Sequence, residues 1–179
     1  IACAGIISKV NQVFMAICIG ISQGSQPILG FNYGAEKYSR VRQTYRYSVT
    51  LCTVIATIFF ICFQFFPHQI VGIFGNGSDL YFHFAEKYLR IFMLMTFANG
   101  IQPMSACFFT SIGKARLGVI MSLTRQVLFL LPLIVIFPVF FGIDGVMYAG
   151  PIADTSAFVL AVVFARRELG VMKAAEQNA

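Results

Sequence analysis

The chain has 179 residues, of which 58% are hydrophobic and 11% charged, and its mean hydropathy is +0.79. A soluble domain carries about a quarter charged residues, so there is too little charge here to coat a water-facing surface, and the composition is that of a membrane protein. The formal charge of +6 comes from basic residues placed between apolar runs, which marks them as topology determinants and not as a nucleic-acid footprint.

The chain starts at Ile1, and no basic stretch, short apolar segment and small-residue cleavage site open it. We therefore expect no signal peptide and a sequence that is a piece of something longer. A bilayer core of about 30 Å needs roughly 20 apolar residues in a helix. Five segments meet that length: about 4–33, 47–66, 81–111, 118–141 and 146–165. The expected fold class is all-α and polytopic, with residues 166–179 left as a cytoplasmic tail.

The first span has no charge between Lys9 and Glu36, yet it carries Asn11, Gln12, Ser22, Gln23, Ser25, Gln26 and Asn32. Polar side chains are costly against hydrocarbon, so these face other helices or a cavity. Gln23 and Gln26 are the cavity candidates. Gly20 with Gly24, and Gly30 with Gly34, form small-xxx-small pairs that allow close backbone approach. Pro27 removes a backbone donor and is expected to kink or loosen the helix near its basic end. A basic loop from Lys37 to Arg46 follows, including Arg40 and Arg42.

The second span is uncharged and rich in Val, Ile, Thr and Phe. After it, "FGNGSDL" offers an Asn76-Gly77 turn with Ser78 or Asp79 as a helix cap. The third span opens as "YFHFAEKYLRIF", which reads as an interfacial first turn or, alternatively, a gate or substrate-entry element, and in which Glu86 and Arg90 are spaced to pair. Deeper in it, "FANGIQPMSA" places Asn99, Gln102 and Ala106 on one helical face, with Pro103 as a hinge. The short basic loop "GKARLG" holds Lys114 and Arg116. The fourth span contains Pro132 and Pro138 and is expected to bend, with Arg125 and Gln126 in its inner half.

The fifth span holds Asp154, the one carboxylate deep in a span, about 12 Å from the start of its helix at 1.5 Å per residue. An intramembrane acid is a functional candidate, here proton- or ion-linked. The alternative is a structural hydrogen bond to a neighbouring helix, through Arg125, whose other option is to snorkel to the cytoplasm. Arg166 and Arg167 close the span. Lys and Arg divide ten against three between the two sides, which puts the visible N-terminus outside and the C-terminus inside.

No Gly-x-Ser-x-Gly, Walker A, His-x-x-x-His or Cys/His cluster occurs, so neither a catalytic nor a metal site is expected. His68 and His83 read as interfacial. Five cysteines scattered through apolar runs read as buried thiols.

"SQPILGFNYGAEKYSRVR" (Ser25 to Arg42) resembles the segment after the eighth helix of multidrug and toxic compound extrusion (MATE) transporters. "YLRIFML", "SIGKAR", "LTRQVLFLLPLIVIFP" and "FGIDGVMYAGPIADTSAF" resemble later helices of that family, in its bacterial multidrug-export branch, in the same order. The run Gln26 to Ala35 is the most specific part. The resemblance implies twelve helices in two six-helix lobes that rock between outward- and inward-facing states, exporting organic cations in exchange for protons or sodium ions. This chain then holds helices eight to twelve, and the N-terminal lobe of the same parent is its partner. It further implies a monomer in the cytoplasmic (inner) membrane, with no cofactor beyond the coupling ion. A helix-ten aspartate used by some sodium-coupled members falls on Asn99, which can ligate sodium but not exchange a proton. The competing expectation is a lipid-linked precursor flippase or polysaccharide exporter of similar fold, which several cavity cations would favour.

Overall fold

A computed structural model describes residues 2–74 and 79–177; the Asn76-Gly77 turn and its cap fall outside the described residues. Helices follow one another as α1 (Ala2–Gly34), α2 (Tyr38–Phe65), α3 (Pro67–Phe74), α4 (Asp79–Phe92), α5 (Thr96–Asn99), α6 (Ile101–Ser111) and α7 (Ala115–Leu123). A π-helical stretch (Thr124–Leu130), α8 (Leu131–Phe141) and α9 (Ile143–Gln177) complete the chain. Among the described residues, four helical runs are long and apolar enough to cross a membrane. A fifth is made by α4 with α5 and α6, bent by 46° at a break.

The third span is thus two helices and not one. The break covers residues 93–95, and just after it the Thr96 hydroxyl donates back to the Met93 carbonyl at 2.8 Å. Pro103 is not the hinge. It occupies the third position of α6, where the backbone donor it lacks would have no helical partner. Pro27 does not interrupt α1 either, which is helical on both sides of it. The bend expected near Pro132 takes the form of a widened turn. The Leu131 N–H donates to the Gln126 carbonyl, five residues back, immediately before Pro132. A proline ring clashes with the carbonyl four residues earlier, and a π-helical turn opens the space that clash demands.

Two turns on the basic side share one closure. Lys37 N–H reaches the Asn32 carbonyl at 2.9 Å around Glu36, and Lys114 N–H reaches the Phe109 carbonyl at 2.9 Å around Gly113. Both central residues are left-handed, φ 56° at Glu36 and φ 80° at Gly113. Because the first turn closes at Glu36, α2 begins at Tyr38, and Arg40, Arg42 and Arg46 ride on its opening turns rather than in a loop. Residues 166–177, read above as part of a cytoplasmic tail, are helical. They continue α9, bury Glu168 and Met172, and tie back through Lys114 Nζ to Glu168 Oε1 at 2.5 Å and an Arg42–Glu176 ion pair. Arg116, Arg166 and Arg167 are exposed, as are Lys37 and Arg40.

The helix α9 runs through the middle of the lobe. Ala149, Ala153, Ala157, Ala161 and Ala165 recur every fourth residue and are all buried. This stripe of small side chains lets neighbouring helices come close. Around its basic half, Leu29, Tyr45, Met104, Phe108 and Met121 form the main apolar cluster. A second cluster at the opposite end joins Val10, Phe63, Leu89 and Met93. There the Glu86 carboxylate meets His68 Nδ1 at 2.7 Å instead of the expected Arg90, because α3 folds back over α4. Of the glycine pairs in α1, only Gly30 has a neighbour where a side chain would stand: a Cβ there would lie 3.4 Å from the Ser111 carbonyl oxygen, while Gly20, Gly24 and Gly34 face open space within this chain.

A left-handed residue with a Cβ costs roughly 1 kcal/mol. Glu36→Gly should therefore raise the melting temperature of the full-length protein in detergent, and Gly113→Ala should lower it by a similar amount. Shifts of the same sign would refute the shared closure.

Candidate functional site

A groove of about 510 Å³ runs between α1, α6, α7 and the π-helical stretch. Its walls follow from helical period. On α1, Met15, Ile19, Ser22, Gln23 and Gln26 share one face; on α6, Gln102, Pro103, Ala106 and Thr110 do; and from Gly118 to Gln126 the facing residues again come every third or fourth. Four of the five expected cavity residues, Gln23, Gln26, Gln102 and Gln126, line it together with Arg125. Gln102 is anchored, its amide donating to the Met121 carbonyl at 3.0 Å and fastening α6 to α7. Gln23, Gln26 and Gln126 are exposed to the groove, and among the described residues their amides have no side-chain partner. The floor is fixed by Cys107 Sγ, which donates to the Ser22 carbonyl at 2.9 Å.

Asn99 is the exception. It lies off the groove, buried, and its amide nitrogen donates to Asp154 Oδ2 at 2.7 Å. The other carboxylate oxygen, Oδ1, accepts from Arg125 Nε at 2.5 Å. All three side chains are buried, at 4%, 6% and 3% exposure for Asn99, Arg125 and Asp154. Arg125 therefore does not snorkel. It is one of the ten charges assigned to the cytoplasmic side, and removing it leaves nine against three. A guanidinium stays charged in any protein environment and needs a carboxylate when taken out of water. The pair satisfies that need, and Asn99 supplies a donor to the oxygen left over. An aspartate at this position would set two carboxylates against one cation, so the amide is the residue type the arrangement calls for.

Three elements are joined this way: α5 through Asn99, the π-helical stretch through Arg125 and central α9 through Asp154. The widened turn presents Arg125 to α9 on one side and Gln126 to the groove on the other. Sequence reading missed two supports. One is Tyr45 hydroxyl to Ser105 Oγ at 3.0 Å, a buried contact between α2 and α6. The other is the buried Glu168, which a terminal position disguised. Among the described residues, no group of His, Cys, Asp and Glu could hold a metal ion.

An apolar helical bundle with an amide-lined groove and a buried ion pair beside it suits a membrane transport domain. The MatE family model matches residues 1–144, and the chain belongs to that family of membrane transporters. It is 26% identical over 177 residues to the multidrug export protein MepA of Staphylococcus saprophyticus, covering 97% of this chain and 39% of that protein. Its structure resembles that of the MATE multidrug transporter DinF-BH, with 34% identity, a TM-score of 0.84, and coverage of 94% of this chain and 37% of that one. An outward-facing multidrug resistance MATE family transporter matches with a TM-score of 0.88 at 16% identity and shares the fold. The chain thus spans about two fifths of the length of the relatives it matches. It is an all-α, multi-pass membrane protein forming most of one lobe of a two-lobe transporter, as the resemblance implied.

Groove and tether differ in access to water. In a Cys107→Ser background of the full-length protein, Gln23→Cys and Gln126→Cys should react with a membrane-impermeant thiol reagent. Asn99→Cys should react at least about tenfold more slowly, a margin set by its burial. Equal rates would show that Asn99 faces the groove after all.

Proposed function

We propose that the full-length protein is a secondary active exporter of organic cations and drugs, driven by exchange with protons or sodium ions, and that this chain is most of its C-terminal lobe. The observation that carries the reading is the groove: the amides of Gln23, Gln26 and Gln126, without side-chain partners among the described residues, set among Met, Ile, Pro and Val side chains in a lobe otherwise built for lipid. Such a mixed wall suits flat ligands that pack by dispersion and are oriented by a few hydrogen bonds. Relatives described as multidrug export proteins support the same reading.

In this reading the two lobes rock about the bilayer midplane, and the groove forms one wall of the path. The basic end, with Lys37, Arg40, Arg42, Lys114, Arg116, Arg166 and Arg167, faces the cytoplasm of an inner-membrane monomer. Asp154 acts as a tether. A coupling ion at its carboxylate would have to displace the Arg125 guanidinium, so coupling is sited in the remainder of the protein. One cavity guanidinium is too little positive charge for a lipid-linked precursor or polysaccharide carrier, and we do not adopt that alternative.

The test is ethidium efflux from cells expressing the full-length protein, with sodium and pH gradients varied separately. Wild type should export dye under one of them. Gln23→Ala and Gln26→Ala should each raise the apparent KM about 2- to 10-fold, the range for one lost hydrogen bond. An absence of dye export under both gradients at matched expression would refute the reading.

A further inference from the structure

The groove carries a feature that cation export does not use. Arg125 is buried to 6% exposure and lines the groove, and its Nε is engaged by Asp154. Its two terminal nitrogens have no hydrogen-bond partner among the described residues, and neither is fully buried without one. Asp154 does not line the groove, and no carboxylate does among the described residues. A ligand entering there meets the outer fork of an arginine, the amides of Gln126 and Gln23, and the hydroxyl of Ser122. Met15 and Ile19 of α1 and Val119 of α7 add apolar lining between these polar groups.

We infer that this end of the groove is an oxyanion subsite, taking the carboxylate or phosphate group of an amphipathic ligand. A guanidinium fork matches two oxygens of a planar or tetrahedral anion in bidentate fashion. Asp154 holds the fork rigidly, so little side-chain freedom is lost on binding. Met15, Ile19 and Val119 would carry the ligand's apolar body. The exporter would accordingly accept zwitterions and organic anions alongside cations. Placing the subsite in the transport path rests on the exporter reading above; anion binding itself does not.

The experiment measures equilibrium binding of carboxyfluorescein and of ethidium to the full-length protein in phosphatidylcholine nanodiscs, with a second arm containing phosphatidylglycerol. Two variants are compared with wild type. Gln126→Glu places a carboxylate beside the fork. Arg125→Gln combined with Asp154→Asn removes both charges without stranding either. Each is first checked for a wild-type elution profile and melting temperature. The wild type should bind carboxyfluorescein. In either variant the ratio of the two affinities should move about tenfold toward ethidium, the size of one lost charge-assisted hydrogen bond. A merely structural role would weaken both dyes together and leave the ratio unchanged, which would overturn the inference. So would a wild type that binds ethidium but not carboxyfluorescein, or one that binds neither. Displacement of carboxyfluorescein by phosphatidylglycerol would make the natural oxyanion a lipid headgroup, and its absence a soluble ligand; both keep the subsite. Carboxyfluorescein binding without ethidium export would keep the subsite and remove the exporter reading.

Discussion

The lobe is organised around one electrostatic constraint: a permanent cation inside the membrane must have a counter-charge. Arg125 and Asp154 are both buried, joined at 2.5 Å, and completed by Asn99 at 2.7 Å. A buried pair of this kind adds little net stability over an apolar replacement, but breaking it by removing one partner is severe. What it supplies is geometry. It pins the π-helical stretch to the central helix α9, and that registers Gln126 and the arginine fork along the groove.

The remaining structure makes this pairing reachable. The alanine stripe of α9 brings it close to its neighbours, and the Cβ that Gly100 lacks would stand 3.0 Å from the Cys52 carbonyl oxygen, so α2 and the α5–α6 junction pack backbone to backbone. The bend between α4 and α5 turns Asn99 inward. On the basic side, Lys114–Glu168 and Arg42–Glu176 bind the extension of α9 to α2 and to the α6–α7 turn. The groove wall is therefore attached to elements fixed at both depths of the lobe, which fits a unit that moves as a whole.

Much of this was legible because the membrane penalises polarity. Long apolar runs locate the helices, and Gln23, Gln26, Gln102 and Gln126 fall on groove faces because amides avoid lipid. Arg125 and Asp154 could be named as partners because neither charge is tolerable alone. Other features have weaker signatures. A π-helical turn differs from an α-helix by one residue, and only Pro132 hints at it. Alanine is neutral on hydropathy scales, so the α9 stripe shows only as a four-residue period. The break at residues 93–95 has no proline or glycine, whereas Pro103 sits in the first turn of α6 and Pro27 lies inside α1 without ending it. Glu168 reads as a tail residue until Lys114 is seen beside it. Asn99 shares a face with Gln102 by period, but the break ahead of it and the pull of Asp154 turn it away from the groove.

The central claim is that Arg125 and Asp154 act as a pair. The direct measurement is a double-mutant cycle on the unfolding free energy of the full-length protein in bicelles, with Arg125→Gln, Asp154→Asn and their combination. Each single change should cost about 3–5 kcal/mol, since it strands a buried charge, and the combination should cost far less than their sum. Additive losses would contradict the account, because they would mean that the two side chains support the lobe independently.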